Sequence, residues 1–340
     1  MVRRRTFPSQ HIVDPVLDEL ETFRDLLPDV RAYIRRHIPD NWPDFSALLR
    51  QLTDEPLGPL AILPLASCAA AGGDARAALP VAATWVTLNQ AIRILDDLED
   101  QDRPDALWTI VGVPRAFNFS AALYAFCLEL LTHTAWPAER YRAITRLFLQ
   151  DSIVLAAGQD RDLCHQTQTL DDYWSTIETK NARAFALACA TGAMCADADS
   201  HAVAACDAYG YHLGLALQLL DDFEGFWEPD NGDDLLAGKI TLPLLYGCSV
   251  DHPERAELQH LVATRQIAQH ATRIRSIIAR LPAREFVVWT ALQERALAVK
   301  ALESCPSQIG VAALRAYADI IFADLDQLVP QQTADTSLKE

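Results

Sequence analysis

Two clusters of acidic side chains contain the residues of this sequence best suited to chemistry. They read DDLED at positions 96–100 and DDFE at positions 221–224, within a chain of 340 residues. In each cluster, acids three or four positions apart share one face of a helix. Carboxylates one helical turn apart can bridge Mg²⁺ ions, which in turn pair with phosphate oxygens. The clusters therefore predict a site where divalent metal ions hold a phosphorylated substrate.

The segments that precede the two clusters support this interpretation. Val81–Ile92 and Ala208–Leu220 contain no charged residue, with histidine counted as neutral. Helices this apolar are buried on most faces, so their terminal acids do not lie on an ordinary solvated surface. Acids at a helix C-terminus also face the negative end of the helix dipole, which is unfavourable by roughly 0.3–1 kcal/mol each. We therefore expect a cavity with two facing acidic walls and divalent cations between them.

The two clusters differ at their fifth position, which is Asp100 in the first and Gly225 in the second. Glycine offers no ligand, so either Glu224 or Glu228 could take the place of the missing acid. The sequence leaves this choice open. The aspartates are expected to be catalytic as well as ligands, and the full set of expected metal ligands is Asp96, Asp97, Asp100, Asp221, Asp222 and Glu224.

Lysine occurs at only four positions, and two of these suit an anion. Lys180 precedes a run of small and apolar residues, where a lysine is costly unless it meets an anion. Lys239 follows Gly238 in the segment GKITLP, although it could also be an exposed lysine in a turn. Gln218 lies one turn before Asp222 and can reach the same cavity. Because a metal-held diphosphate needs cations and hydrogen-bond donors, we expect Lys180, Lys239 and Gln218 to bind substrate and Lys180 to be catalytic.

Helical periodicity extends over almost the whole chain, and no stretch shows the sustained alternation typical of a strand. We therefore predict an all-α protein with one domain over residues 1–340 and loose ends at 1–15 and 331–340. Facing helices of one bundle can bring together acids that are 125 positions apart. Prolines and glycines separate the predicted helices, which are 16–37, 58–72, 81–101, 116–134, 138–160, 171–196, 201–226, 240–249, 254–280, 284–304 and 308–328.

The composition argues against several classes of function. The net charge of −17 disfavours binding to nucleic acid or to anionic membranes. No uncharged apolar run reaches the ~20 residues that span a bilayer, and polar residues follow Arg3–Arg5 where a signal peptide would have its apolar core. We therefore expect a soluble, cytoplasmic protein. Its eight cysteines have no CxxC spacing, so we expect buried free thiols.

These features together resemble the trans-isoprenyl diphosphate synthase (polyprenyl synthetase) family, over roughly residues 55–250. The resemblance rests on landmarks that occur in the family's order. The cluster at 96–100 looks like its first aspartate-rich motif. Asn181, Leu217 and Gly225 stand where the family usually has threonine, phenylalanine and aspartate. The other landmarks are similar to GQxxDL at 158–163, YxxxxxxKTA at 173–182, FQxxDDxxD at 217–225 and GKxTLP at 238–243.

The resemblance implies an all-α bundle of the isoprenoid-synthase type around a deep central cavity. It implies three Mg²⁺ ions, bound by both acidic motifs, that hold an allylic prenyl diphosphate which ionises to a carbocation. It also implies that the protein is a homodimer.

The expected cavity wall lies upstream of the first cluster and on the helices that carry Lys180 and the second cluster. Aromatic side chains there could stabilise a cation. In the family, bulky aromatics four and five residues before the first motif shorten the cavity, whereas Ala91 and Ile92 leave room here for a C15, C20 or longer chain. The alternative is that these side chains are ordinary core residues. The wall candidates are Asn89, Ile92, Phe185, Tyr211 and Leu215, together with Trp85, Leu88 and Gly214.

The departures from the family concern the diphosphate of a second substrate, isopentenyl diphosphate. The family's basic GGKxxRP loop corresponds to residues 52–59, which carry two acids and neither lysine nor arginine. Asn89 replaces a usual histidine, Arg103 alone remains of a usual arginine pair, and Pro229 stands where a lysine is usual. A unit charge pair at 4 Å contributes about 4 kcal/mol at an effective dielectric of ~20, so the change is severe. The site for a second diphosphate is therefore expected to be largely absent.

Four hypotheses fit this pattern, in order of preference. The first is a terpene cyclase that ionises one preformed prenyl diphosphate and lets the cation close on its own double bonds. The second is a chain-elongating synthase whose cations come from Arg93, Arg103 or Arg115. The third is prenyl transfer to an acceptor without a diphosphate, and the fourth is a non-catalytic regulatory subunit. Intact metal ligands argue against the fourth, because a purely structural partner does not need them.

Overall fold

The protein is built from α-helices, as the sequence predicts. A computed structural model describes residues 15–54, 57–100, 105–164, 166–228 and 233–328, without the side chains of residues 15–18 and 100. These residues contain no strand. The helices are α1 (Pro15–Arg24), α2 (Leu27–Arg36), α3 (Pro43–Asp54), α4 (Ile62–Ala70), α5 (Leu79–Asp100), α6 (Leu107–Val111), α7 (Val113–Thr132), α8 (Ala138–Leu163), α9 (Leu170–Ile177), α10 (Arg183–Ala193), α11 (Ser200–Trp227), α12 (Leu242–Ser249), α13 (Arg255–Ala263), α14 (Ala271–Ile278), α15 (Ala283–Ala301) and α16 (Gln308–Asp326).

The long helices pack side by side around an apolar core. Helix α11 lies along α10 and α15, α5 lies along α7, and α4 packs against α10 and α16. The main core draws side chains from Leu20 in α1 to Leu325 in α16, and Trp85 on α5 and Tyr209 on α11 are fully buried within it. The single domain over residues 1–340 stays a prediction. The expected loose ends lie outside the described residues, except for Pro15.

A π-helical turn, Glu178–Ala182, joins α9 to α10 and was not predicted from the sequence. It presses against α11, where a Cβ atom built on Gly214 would lie only 2.7 Å from the Cα of Ala182. Glycine at position 214 therefore allows the two backbones to approach. Single π-helical turns are frequent at functional sites, and this one carries Lys180.

Other predicted helices differ from the structure where the backbone is interrupted. The predicted helix 16–37 is two helices, because Pro28 stands in the first turn of α2. The predicted helix 254–280 is broken at Arg265, which has a φ of 55°. Helices α3 and α6 were not predicted.

A smaller apolar cluster lies under the end of α11 and joins it to α12, α13 and α14 through side chains such as Phe226, Leu244 and Ile274. All eight cysteines are free thiols, as expected, and all but Cys164 are buried. Within the described part of the chain, no helix is long and apolar enough to cross a membrane.

Candidate active site

Both acidic clusters border one large cavity of about 2450 Å³. The end of α5 supplies Asp96 and Asp97, and the end of α11 supplies Asp221 and Glu224. The two acidic walls that the sequence predicts are thus brought together. The side chain of Asp100 lies outside the described residues.

Lys180 lies between the first acidic cluster and helix α8. Its Nζ is 2.8 Å from Oδ2 of Asp162 and 3.9 Å from Oδ1 of Asp96. The surrounding protein desolvates Asp162 and raises its pKa, but Lys180 and Lys239 outweigh this effect, so the pKa is lowered from its usual value. Asp162 therefore stays ionised and holds Lys180 close to Asp96. Lys239 itself is exposed at the edge of the cavity.

Helix α8 also contacts the first cluster through Gln159, whose side-chain amide donates a hydrogen bond to Glu99. Gln159 and Asp162 both belong to the segment 158–163 that the sequence analysis identified as a landmark without giving it a role. Gln159 and Asp162 are three residues apart, so they point to the same face of α8. Gln159 contacts α5 through Glu99, and Asp162 contacts the π-helical turn through Lys180.

A chain of hydrogen bonds connects the π-helical turn to the second cluster. The amide of Asn181 donates to Oε1 of Gln218, and Nε2 of Gln218 donates to Oδ1 of Asp222 at 2.7 Å. Gln218 borders the cavity as expected. Its amide is engaged on both sides, so it links the segment that carries Lys180 to the acidic end of α11.

Asp222 is buried, with 2% of its surface exposed. Its Oδ2 accepts hydrogen bonds of 2.8 Å from the Tyr173 hydroxyl and from the backbone N–H of Leu242, and its Oδ1 accepts from Gln218. Burial raises the pKa of Asp222 to about 7, although the hydrogen bonds from these three donors act to lower it. These donors use three of the four lone-pair sites of the carboxylate, so Asp222 joins α9, α11 and α12. Its predicted role as a metal ligand stays a prediction.

The predicted cavity wall is only partly correct. Asn89 borders the cavity, but Ile92, Phe185, Tyr211 and Leu215 do not. Leu215 and Phe185 are buried in the core, where Phe185 meets Trp85 edge to face with ring centroids 6.1 Å apart. Trp85, Leu88 and Gly214 do not border the cavity either. For these residues the alternative interpretation as ordinary core was the better one.

The wall residues of α5 follow helical periodicity, and Val86 among them was missed by the sequence analysis. Val86, Asn89, Arg93 and Asp96 border the cavity at intervals of three or four residues. Counting backwards from Asp96 by three, seven and ten residues reaches Arg93, Asn89 and Val86. Ile92 lies four residues before Asp96, within about one turn of it, but does not border the cavity.

The donor set fits Mg²⁺ that is shared with a substrate. Asp96, Asp97 and Asp221 offer the hard oxygen ligands that Mg²⁺ prefers, and Lys180 and Lys239 lie close by for an anion. Among the described residues, no three histidine, cysteine or acidic side chains converge into a metal cage. Mg²⁺ is commonly held by one or two carboxylates together with substrate phosphates and water, so such a cage is not required.

Arginine side chains border the same cavity as the segment 52–59, where a second diphosphate is expected to lack partners. Arg93 and Arg115 border it, and Nη2 of Arg115 lies 2.7 Å from Oδ2 of Asp44. The segment 52–59 is engaged by Arg35, which donates to Thr53 at 2.9 and 3.0 Å and pairs with Asp54. Glu55, Pro56, Arg103 and Pro229 lie outside the described residues.

Comparison with known proteins connects this arrangement to one family. The model of the polyprenyl synthetase family matches residues 59–281. The geranylgeranyl diphosphate synthase of Mycobacterium tuberculosis is 35% identical over 199 residues, which cover 54% of this chain and 56% of that protein. The match thus spans little more than half the length of this relative.

Two further comparisons extend over more of the chain. The (2E,6E)-farnesyl diphosphate synthase of Mycobacterium bovis is 28% identical over 262 residues, 72% of this chain and 70% of that protein. The crystal structure of a decaprenyl diphosphate synthase from Rhodobacter capsulatus superposes with a TM-score of 0.80 at 22% identity, covering 92% of this chain and 99% of that one. At this identity the superposition shows a shared fold.

Proposed function

Because the chain belongs to the polyprenyl synthetase family, we propose that it is a chain-elongating prenyl diphosphate synthase. An allylic prenyl diphosphate would lose inorganic diphosphate in the cavity, its cation would add to the double bond of isopentenyl diphosphate, and the adduct would lose a proton to give the longer allylic diphosphate. The observation that carries the proposal is the placement of Lys180 beside Asp96, in a cavity that the second acidic cluster borders from the other side. The relatives described above are named as synthases, which favours elongation over the cyclisation that the sequence analysis preferred.

The residues of this chain would divide the work on the first substrate. Asp96, Asp97 and Asp221 would hold Mg²⁺, and bound Mg²⁺ would neutralise the departing diphosphate. Lys180 and Lys239 would contact the diphosphate oxygens, where negative charge develops as the bond breaks. The apolar part of the cavity would keep water away from the cation.

Arg93 and Arg115 support the use of a second diphosphate. Both border the cavity, and neither belongs to the loop that is basic in the family. The pair between Arg115 and Asp44 is exposed on both sides, so it contributes at most about 1 kcal/mol and can be exchanged for a phosphate at little cost. These arginines would replace the basic residues that the segment 52–59 lacks. A homodimer remains the expected assembly.

Cyclisation remains the second candidate, because one observation favours it. The segment 52–59 contains no lysine or arginine, and its Thr53 and Asp54 are engaged by Arg35. If no other cations bind the second diphosphate, the carbocation formed in the cavity would react with its own double bonds rather than with isopentenyl diphosphate.

The release of inorganic diphosphate distinguishes the two candidates. The purified protein would be given farnesyl or geranylgeranyl diphosphate with Mg²⁺, with and without isopentenyl diphosphate. Elongation predicts that release depends on isopentenyl diphosphate and falls when Arg93 is replaced by Gln. Release at the same rate without isopentenyl diphosphate, together with a volatile hydrocarbon or alcohol, would reject elongation in favour of cyclisation.

A further inference from the structure

Gly225, the residue of the second acidic cluster that offers no ligand, lies against the side chain of Asp234. A Cβ atom built on Gly225 would lie within 2.9 Å of both carboxyl oxygens of Asp234. A side chain at position 225 would require the side chain of Asp234 to move. The carboxyl group of Asp234 therefore occupies the space that an acidic side chain at position 225 would enter.

The backbone holds Asp234 in this position. Its N–H donates a hydrogen bond of 3.2 Å to the carbonyl oxygen of Gly225, and its carbonyl oxygen accepts one of 2.8 Å from the N–H of Lys239. The carbonyl oxygen of Gly225 lies in the last turn of α11, where carbonyl groups have no partner within the helix. The N–H of Asp234 supplies that partner. The preceding residue, Asp233, pairs with Arg275 at 2.6 Å, and Arg275 also donates to the carbonyl of Phe226.

Asp234 is also directed toward the second cluster rather than toward solvent. Its exposed fraction is 7%, and it borders the same cavity as Asp221 and Asp222. Asp234 thus adds a third buried or partly buried carboxyl group to the part of the cavity wall that Asp221 and Asp222 border, and a bound cation would be attracted to this charge.

We infer that Asp234 supplies to the second acidic cluster the carboxylate that position 225 lacks. The inference rests on the proposed function, because it assigns Asp234 to the binding of the metal-held diphosphate. It also answers a question that the sequence left open between Glu224 and Glu228. Glu224 lies one position earlier on α11, and Glu228 is exposed beyond the end of that helix. Neither occupies the space beside Gly225.

Calorimetric titration of inorganic diphosphate in the presence of Mg²⁺ tests the inference without measuring turnover. Asp234→Asn keeps the shape of the side chain and removes its charge, so affinity is expected to fall by about 10–100-fold. Glu224→Gln and Glu228→Gln alter the two positions that the sequence left open, and each is expected to lose less affinity than Asp234→Asn. Glu303→Gln, which is exposed and outside the lining of the cavity, is the matched control and is expected to change affinity by less than about twofold. An Asp234→Asn protein that binds as tightly as the wild type, or an equal loss in Glu224→Gln or Glu228→Gln, would overturn the inference.

Moving the carboxylate to position 225 gives a second, independent test. Gly225→Asp alone is expected to lower thermal stability, because the new side chain overlaps Asp234. Gly225→Asp combined with Asp234→Ala is expected to bind diphosphate at least about fivefold more tightly than Asp234→Ala alone, since one carboxylate is restored. Circular dichroism would show that the proteins compared are folded. A double variant that is folded and binds no better than Asp234→Ala would contradict the inference.

Asp96→Asn and Asp221→Asn separate the inference from the function on which it rests. If both lose affinity for diphosphate while Asp234→Asn does not, the proposed site stands and the inference about Asp234 is wrong. If all three bind like the wild type, the proposed metal site is wrong and the inference falls with it.

Discussion

The two acidic walls of the cavity are built differently, although their sequences look alike. At the end of α5, Asp96 is 14% exposed and shares Lys180 with Asp162. At the end of α11, Asp222 is buried and accepts hydrogen bonds from three donors on three different elements. In the first wall, Asp96 and Asp97 border the cavity. In the second wall, Asp221 faces the cavity, whereas Asp222 holds the end of α11 against α9 and α12 through its hydrogen bonds.

The difference shows that adjacent aspartates in such a motif can have separate tasks. A carboxylate that faces the cavity can bind a metal ion, whereas a buried one that accepts hydrogen bonds from three protein donors contributes to positioning. Loss of a carboxylate that faces the cavity should reduce activity without unfolding the protein. Loss of a carboxylate that is held by protein donors should reduce stability.

Asp96→Asn should produce the largest effect on activity. It removes one charged oxygen from the first wall but keeps the size of the side chain, so turnover should fall by about 10³-fold, equivalent to about 4 kcal/mol in the barrier. The free energy of unfolding should change by less than about 1 kcal/mol. Steady-state kinetics and urea denaturation measure the two quantities. Wild-type turnover in this variant would show that the first wall does not bind the substrate.

Asp222→Ala should have the largest effect on stability. It leaves the donors of Tyr173, Gln218 and Leu242 buried without an acceptor, and each such group costs about 1–3 kcal/mol. We expect the free energy of unfolding to fall by about 3–5 kcal/mol.

Asp221→Ala is the matched control for Asp222→Ala, since it lies beside it on α11 but faces the cavity. It should lose turnover and keep the stability of the wild type within about 1 kcal/mol. Equal losses of stability in the two variants would mean that the second wall does not divide its tasks as described.

Lys180→Met should weaken the binding of the prenyl diphosphate by about 10-fold to 100-fold, because it removes a charge-assisted contact in a partly buried site. Lys300→Met on α15 is the control, since that lysine is exposed and lies outside the lining of the cavity. Binding would be followed as KM and as the calorimetric affinity for diphosphate. A KM unchanged from the wild type would refute the role assigned to Lys180.

Tyr173→Phe should have the smallest effect. It removes one donor to Asp222 and should lower the free energy of unfolding by about 1–2 kcal/mol. Tyr33→Phe, which removes a 2.9 Å hydrogen bond to Leu130 away from the cavity, offers a comparison of similar chemistry. Only Tyr173→Phe should also lower kcat. If the two variants have the same kcat, Asp222 does not position the second wall through Tyr173.

Spacing in the sequence was enough to predict the all-α fold and the meeting of the two acidic clusters. Both follow from helical periodicity and from apolar segments that must be buried. The same information did not reveal that Asp222 is buried, because its partners Tyr173 and Leu242 lie 49 and 20 positions away. The role inferred for Asp234 depends on how the chain beyond α11 returns to Gly225. The spacing of residues along the sequence does not predict this return.

The errors about the cavity wall have a related cause. Phe185, Tyr211 and Leu215 were chosen as apolar side chains near the motifs, but apolar character alone does not distinguish a wall from a core. On α5 the spacing from Asp96 does not make that distinction either, because Arg93 borders the cavity and Ile92 does not, although both lie within about one turn of Asp96. The preference for cyclisation came from basic residues missing at 52–59. The sequence could not show that Arg93 and Arg115 border the same cavity.

The most direct test of the central claim is the fate of isotopically labelled isopentenyl diphosphate. The protein would be incubated with Mg²⁺, farnesyl diphosphate and the labelled compound, and the products would be identified by mass spectrometry. The account predicts a longer prenyl diphosphate with one labelled isoprene unit for each addition, and no such product from Asp96→Asn. An unlabelled hydrocarbon or alcohol made from farnesyl diphosphate, with no label in any prenyl diphosphate, would contradict it.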